Sequence, residues 1–314
     1  HAALNSGVNA IGANSVDNCE IALSSLSMPQ LTCNEIGNNV VTLSLTDNSG
    51  NQSSCAANLN VVSGTDNISL AADIWPGANH SAPGEKAVLS GKLYFTAHGS
   101  GIGQELWSYD LASSATTLVD DIRPGSGSSI PTDLVAWNGK LFFSATNGIN
   151  GRELMSHDPL TGITDIEVDI WPGATGSDVE NIFPFDNRLY FSAKTDSTGA
   201  ELWNYDGANT TLVADMYPGP INSSPGDFVA FNDKLHFYAS TPTYGNELVI
   251  YDPLAGTITY KDIYPGSGSS YPRGLTLMNG KLYFRGNDNM NTGGELWSFD
   301  GTTYQQVSDI RPGA

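Results

Sequence analysis

The sequence predicts an all-β protein: an N-terminal immunoglobulin-like β-sandwich over residues 1–62, a linker at 63–67, and a β-propeller over 68–314, read as five-bladed. Three observations predict it. One set of motifs recurs at a nearly constant interval through the second region, the stretches between motifs alternate apolar and polar residues, and Asn-Gly pairs stand at hairpin positions.

The element Asp-(Ile/Met)-x-Pro-Gly stands at Asp73, Asp121, Asp169, Asp215, Asp262 and Asp309, at spacings of 48, 48, 46, 47 and 47 residues. Gly-x-Glu-Leu keeps the same interval at Glu105, Glu153, Glu201, Glu247 and Glu295. A third element, a basic residue followed by Leu and an aromatic pair, opens at Lys92, Lys140, Arg188, Lys234 and Lys281, with His236 replacing the first aromatic residue once. Three elements repeating in one order define a structural unit.

Within a unit, Leu134–Trp137 meets Leu141–Ala145 across Asn138-Gly139, and another copy uses Asn279-Gly280. Asn-Gly supplies the positive φ of a type I′ hairpin turn. Leu141, Phe143 and Ala145 fall on alternate residues, the period of a strand with one buried face. A third strand carries Glu153-Leu154-Met155 and ends at Asp158-Pro159, and a fourth runs from Thr164 to Ile170 and stops at Pro172-Gly173. Each unit is a four-stranded meander. One such sheet cannot bury both faces alone, so copies must stack, and radial closure removes most exposed edge. An open solenoid is the rival architecture.

The fourth-strand element occurs six times, beginning with Ile68–Ile74, against five copies of the other three strands. The spare strand predicts a lost sixth blade, an extra strand on the last sheet, or donation to a neighbouring molecule, which would build a filament by strand exchange.

The N-terminal region reads differently. Val40–Leu45 and Cys55–Val61 alternate and are joined by Asp47-Asn48-Ser49-Gly50-Asn51, a hairpin of a small sandwich. All three cysteines lie here, which suits an oxidising compartment. Cys33 and Cys55 are the expected disulfide, because Cys55 shares a strand face with Ala57, Leu59 and Val61, and Cys19 competes for either partner.

Acidic residues number 33 against 13 basic ones, a net charge of −20. Such a surface repels phosphate backbones and keeps a secreted protein dissolved, so nucleic acid is no expected partner. No run of about 18 apolar residues occurs, so no membrane insertion is expected. The chain opens at His1 without a leader pattern, as a processed or partial chain would.

Glu105-Leu106-Trp107-Ser108-Tyr109-Asp110, Glu201-Leu202-Trp203-Asn204-Tyr205-Asp206 and Glu295-Leu296-Trp297-Ser298-Phe299-Asp300-Gly301-Thr302 resemble the ELWxxDGT repeat family of bacterial secreted proteins; Met155 and Val249 replace the Trp in the other two copies. The resemblance covers 68–314 and implies a large surface or secreted protein, often from the Bacteroidota, without an assigned enzymatic activity. Residues 16–62, with Asp17-Asn18-Cys19, Cys33 and Thr46-Asp47-Asn48-Ser49-Gly50-Asn51, resemble a hyalin-repeat module, a pairing that implies an adhesin.

The expected function is an extracellular structural or adhesive surface protein, self-associating and not an enzyme, with a carbohydrate-binding lectin propeller as the alternative. No Gly-x-Ser-x-Gly or phosphate loop occurs, and the histidines form no metal-spaced pair, so no catalytic residue, metal or cofactor is assigned. The repeated glutamates and aspartates are expected to cap backbone N–H groups at turns or to pair with a neighbouring blade; a ring of carboxylates holding calcium is the rival reading, and no EF-hand loop pattern accompanies it. The residue after Asp-Ile or Asp-Met varies inside a fixed frame as Trp75, Arg123, Trp171, Tyr217, Tyr264 and Arg311. These side chains, Trp75 to Tyr264 above all, are the candidate ligand-binding set for a glycan or surface ligand, with inter-blade packing as the competing role.

Overall fold

The computed structural model describes residues 2–3, 21–26, 30–31, 37–47, 50–61, 70–288 and 293–310. Among them every regular element is a strand. The chain divides into two compact units, His1–Leu70 and Ala71–Ala314; the expected boundaries at 62 and 67 lie outside the described residues.

In the first unit, β1 (Ala2–Ala3) pairs with β3 (Gln30–Leu31), and β2 (Ile21–Leu26), β4 (Gly37–Asp47) and β5 (Gln52–Val61) form a three-stranded sheet in the order β2-β4-β5. The expected hairpin is present: β4 and β5 run antiparallel with Leu43 opposite Cys55. The Cys33–Cys55 disulfide expected from the sequence falls on Cys33 and on the Cys55 side chain, outside the described residues.

The second unit is five four-stranded antiparallel sheets in sequence order. The first holds β6 (Lys86–Leu89), β7 (Lys92–Gly99), β8 (Ile102–Asp110) and β9 (Thr116–Asp120); the second β10 (Thr132–Trp137), β11 (Lys140–Thr146), β12 (Arg152–Asp158) and β13 (Ile163–Val168). The third holds β14 (Glu180–Phe185), β15 (Arg188–Thr195), β16 (Gly199–Tyr205) and β17 (Thr210–Ala214). The fourth holds β18 (Gly226–Phe231), β19 (Lys234–Thr241), β20 (Gly245–Asp252) and β21 (Thr257–Lys261), and the fifth β22 (Arg273–Met278), β23 (Lys281–Gly286), β24 (Glu295–Phe299) and β25 (Tyr304–Ser308).

The hairpin reading extends to all five sheets. Asn138-Gly139 and Asn279-Gly280 have both φ values positive, and so do Ser90-Gly91, Asp186-Asn187 and Asn232-Asp233 at the same place. Asn and Asp tolerate this left-handed conformation, which matches the strand twist. The aspartate that ends the third strand also recurs as a turn-former: its carboxylate accepts from Ala112 and Ser113 N–H at Asp110, from Ala208 and Asn209 at Asp206, and from Thr302 and Thr303 at Asp300. These backbone donors hold the three carboxyls below the usual range.

Two expectations need correction. The second strand of the sheets flanked on both sides is buried on both faces: in the second sheet Phe142 is 2% exposed beside Leu141 and Phe143 at 0%, because one face packs on the preceding sheet and the other on the following one. Among the described residues the spare strand is also absent. Residues 70–74 form no strand, and each of the five sheets draws its fourth strand from the segment after its own third.

A core of buried side chains lies between each successive pair of sheets. On the face turned to the following sheet, Leu106, Leu154, Leu202 and Leu248 are each 0% exposed, and complete burial of one such leucine contributes about 2 kcal/mol. Polar ties cross the same junctions. Asp133 accepts from Asn181 N–H at 3.0 Å, and Asp227 from Gly274 N–H at 2.8 Å. Glu167 joins Ser156 (2.5 Å) and Lys140 (3.2 Å) of the second sheet to the Tyr205 hydroxyl of the third.

Candidate functional site in the linkers between sheets

Each linker leaves the fourth strand at Asp-Ile or Asp-Met and returns to the first strand of the next sheet. The repeated glutamate, placed on the third strand by Gly-x-Glu-Leu, reaches under it. Glu105 accepts Ile122 N–H (3.0 Å), Ser129 N–H (2.9 Å) and the Ser129 hydroxyl (2.6 Å). Glu153 accepts Ile170, Trp171 and Ser177 N–H at 3.0, 3.4 and 2.8 Å and the Ser177 hydroxyl at 2.5 Å. Glu201 takes Met216 and Ser223 N–H at 2.8 and 3.1 Å and the Ser223 hydroxyl at 2.6 Å. Glu247 takes Ile263, Tyr264 and Ser270 N–H at 3.1, 3.3 and 2.9 Å and the Ser270 hydroxyl at 2.5 Å. Glu295 takes Ile310 N–H at 2.9 Å.

These carboxylates are backbone caps, as the sequence led us to expect. They also explain why the fourth strand of the second sheet stops at Val168 rather than Ile170: the Ile170 N–H leaves the ladder to bond Glu153. Removal from water pushes the carboxyls of Glu201 and Glu247 up to about 7, and those of Glu105 and Glu153 in the same direction, against hydrogen bonds that pull them down. The serine partner was missed in the sequence. Its signal is a recurrence 24, 24, 22 and 23 residues after the glutamate, at Ser129, Ser177, Ser223 and Ser270.

The linker aspartates form tight turns. Asp121, Asp215 and Asp262 each accept the Gly N–H four residues on, at 3.2, 3.5 and 3.2 Å, while Asp169 accepts Asn150 Nδ2 at 3.0 Å. The other oxygen of Asp121, Asp169 and Asp262 is buried without a hydrogen-bond partner. Among the described residues no group of three or more His, Cys, Asp or Glu side chains could hold a metal ion.

The varied residue lies at one position in successive linkers. Trp75, Trp171, Tyr217 and Tyr264 are half-buried and Arg123 is exposed; Arg311 lies outside the described residues. Part of each surface packs locally. A Cβ on Gly127 would come within 2.7 Å of Arg123 Nε, and one on Gly268 would overlap the Tyr264 ring, so a glycine four residues further on makes room for the side chain in each case. The Lys194 ammonium lies 5.9 Å from the Trp171 ring centroid. Arg123 and Tyr264 therefore rest on their own linkers, Trp171 lies beside a lysine of the next sheet, and all five side chains keep a solvent-exposed side.

Fold and site together define an all-β repeat protein of β-propeller type, with its variable surface on the linkers. No family model and no curated protein matches the sequence. Among solved structures the chain is similar to a prolyl endopeptidase (TM-score 0.51, 11% identity, 91% of this chain and 43% of that one). It is also similar to a puromycin-hydrolysing peptidase of Mycobacterium tuberculosis (TM-score 0.48, 11% identity, 90% and 44%). A third is the β-propeller domain of the trilobed protease from Pyrococcus furiosus (TM-score 0.34, 12% identity, 91% and 98%). The chain spans 42 to 58% of the first solved structures it matches.

The expectation that the chain is not an enzyme is corrected by the likeness to a prolyl endopeptidase, with which it shares a fold. The lack of a catalytic motif within the repeats therefore does not set the chain apart from enzymes. At such identity the likeness shows the fold alone.

Proposed function

We propose that this chain is the adhesive part of an extracellular surface protein of the ELWxxDGT-repeat type, an immunoglobulin-like module followed by an array of five propeller-type sheets. One observation carries the reading. The repeated Glu, Asp and Ser of each linker are spent on holding its backbone, while the one varied side chain keeps a solvent face at the same place in successive sheets. A fixed frame with an interchangeable contact residue is what a binding surface needs. The acidic, dissolving surface and the adhesin-like module pairing support an extracellular setting.

A lectin is the second reading, favoured by Trp75, Trp171, Tyr217 and Tyr264, whose half-exposed rings can stack on sugar faces. The test is display of the whole chain on a non-adherent bacterium, with attachment to glycan-coated and protein-coated surfaces counted. Attachment should rise several-fold and fall again in the Trp171→Ala, Tyr217→Ala double variant. Attachment at background on both coatings would sink the adhesive reading, and binding to protein but not glycan would remove the lectin.

A further inference from the structure

Four of the five sheets present the same face to the sheet that follows. On it stand Leu89, Tyr94, Leu106 and Ile122 in the first sheet, and Phe231, His236, Leu248 and Ile263 in the fourth. In the fifth sheet these places hold Met278, Tyr283, Leu296 and Ile310, still apolar, yet Met278 is 54%, Leu296 38% and Ile310 75% exposed. The equivalents of Leu296 are all 0% exposed, so what is missing is a covering sheet, not an apolar face.

The first sheet has the converse defect. On the face that in the other sheets meets the preceding sheet, Leu93 is half-buried, whereas Leu141, Leu189, Leu235 and Leu282 at that position are at 0%; its cross-strand partner Val88, at the rim of that face, is 63% exposed. Lys86 replaces the core residue Leu134 there, its ammonium folded back onto the Gly84 carbonyl at 2.8 Å.

The polar latch is split in the same way. Ser81 occupies the place of Ser129, Ser177, Ser223 and Ser270: its carbonyl accepts His98 N–H, as that of Ser129 accepts Thr146 N–H. Among the described residues no glutamate meets Ser81, and no serine meets Glu295. The unmatched halves lie at opposite ends of the array, and no buried core joins the fifth sheet to the first.

We infer that the open face of the fifth sheet docks the first sheet of a second copy of the chain, with Glu295 of one copy accepting Ser81 of the next, so that copies add head to tail. The junction continues an interface that the chain already builds four times. It is heterologous, leaving one free face of each kind after every addition, so association is open-ended. It needs no exchanged strand, and it stands or falls independently of the adhesive reading.

The test is sedimentation velocity of the whole chain from micromolar to sub-millimolar concentration, with two variants at exposed positions, Leu296→Arg and Val88→Arg. The wild-type chain should show species growing with concentration, and each variant alone should remain monomeric, its association weakened by at least about tenfold. An equimolar mixture of the variants should stop at a dimer, because only one open face of each kind remains. A wild-type chain monomeric throughout would overturn the inference and give the face to the chain's own first sheet or to a further repeat. Growth of Leu296→Arg equal to wild type, or a mixture that stays monomeric, would overturn it too.

Discussion

Replacement of Glu247 by Ala should unlatch the linker between the fourth and fifth sheets. The carboxylate accepts four hydrogen bonds, from Ile263, Tyr264 and Ser270 N–H and from the Ser270 hydroxyl. At about 1.5 kcal/mol for each bond to an ionised acceptor, their loss costs about 6 kcal/mol. Burial of the carboxyl opposes this, since removal from water raises it from 4.5 to about 7 even against the pull of these bonds, and the variant is relieved of that desolvation. The net expectation is destabilisation by about 3 kcal/mol, against about 1 kcal/mol for Ser270→Ala, which removes one bond. Urea unfolding of the whole chain, followed by tryptophan fluorescence, measures both. A loss under about 1 kcal/mol for Glu247→Ala, or equal losses for the two variants, would refute the latch as the force that holds the linker.

The same carboxyls give the stability a pH dependence. Glu201 and Glu247 lie at about 7 when folded against 4.5 as reference, so the folded state binds more protons, and stability should be full below about 4.5 and decline as pH rises to about 7. Chemical denaturation at several pH values checks this, and the Glu201→Gln, Glu247→Gln chain should lose most of the slope. Two glycines with positive φ should behave differently. At Gly245 a Cβ would stand 1.8 Å from the Gly268 carbonyl oxygen, so Gly245→Ala should cost more than about 3 kcal/mol, whereas Gly139→Ala has open space and should cost only about 1 kcal/mol of backbone strain. Thermal melts of the two variants decide it, and equal shifts would contradict the steric argument.

Much of the architecture was legible in the sequence because repetition reveals structure. Asn138-Gly139 announced a hairpin, and the less obvious pairs Asp186-Asn187 and Asn232-Asp233 follow once their place in the repeat is known. The glutamate's capping role was legible too, since a carboxylate next to a repeated turn has backbone donors to satisfy. The spare strand was over-read, because residues 70–74 carry the letters of a linker start and form no strand. Burial of Phe142 on the second face was hidden as well: alternation reports one sheet's own two sides, and neighbours on both flanks bury what a single sheet would leave wet. The serine partners escaped notice because Ser is abundant in every loop, and only a fixed offset from the glutamate separates them from the rest.

The latches have a further consequence for how the molecule opens. Each one ties the centre of a sheet to the entry of its successor, so loss of order in one unit removes a constraint from the next, and the units behave as coupled elements in a line. Amide protons of the second, third and fourth sheets, flanked on both sides, should therefore exchange slowest. The fifth sheet, whose Glu295 grips Ile310 and nothing beyond it among the described residues, is where fraying begins.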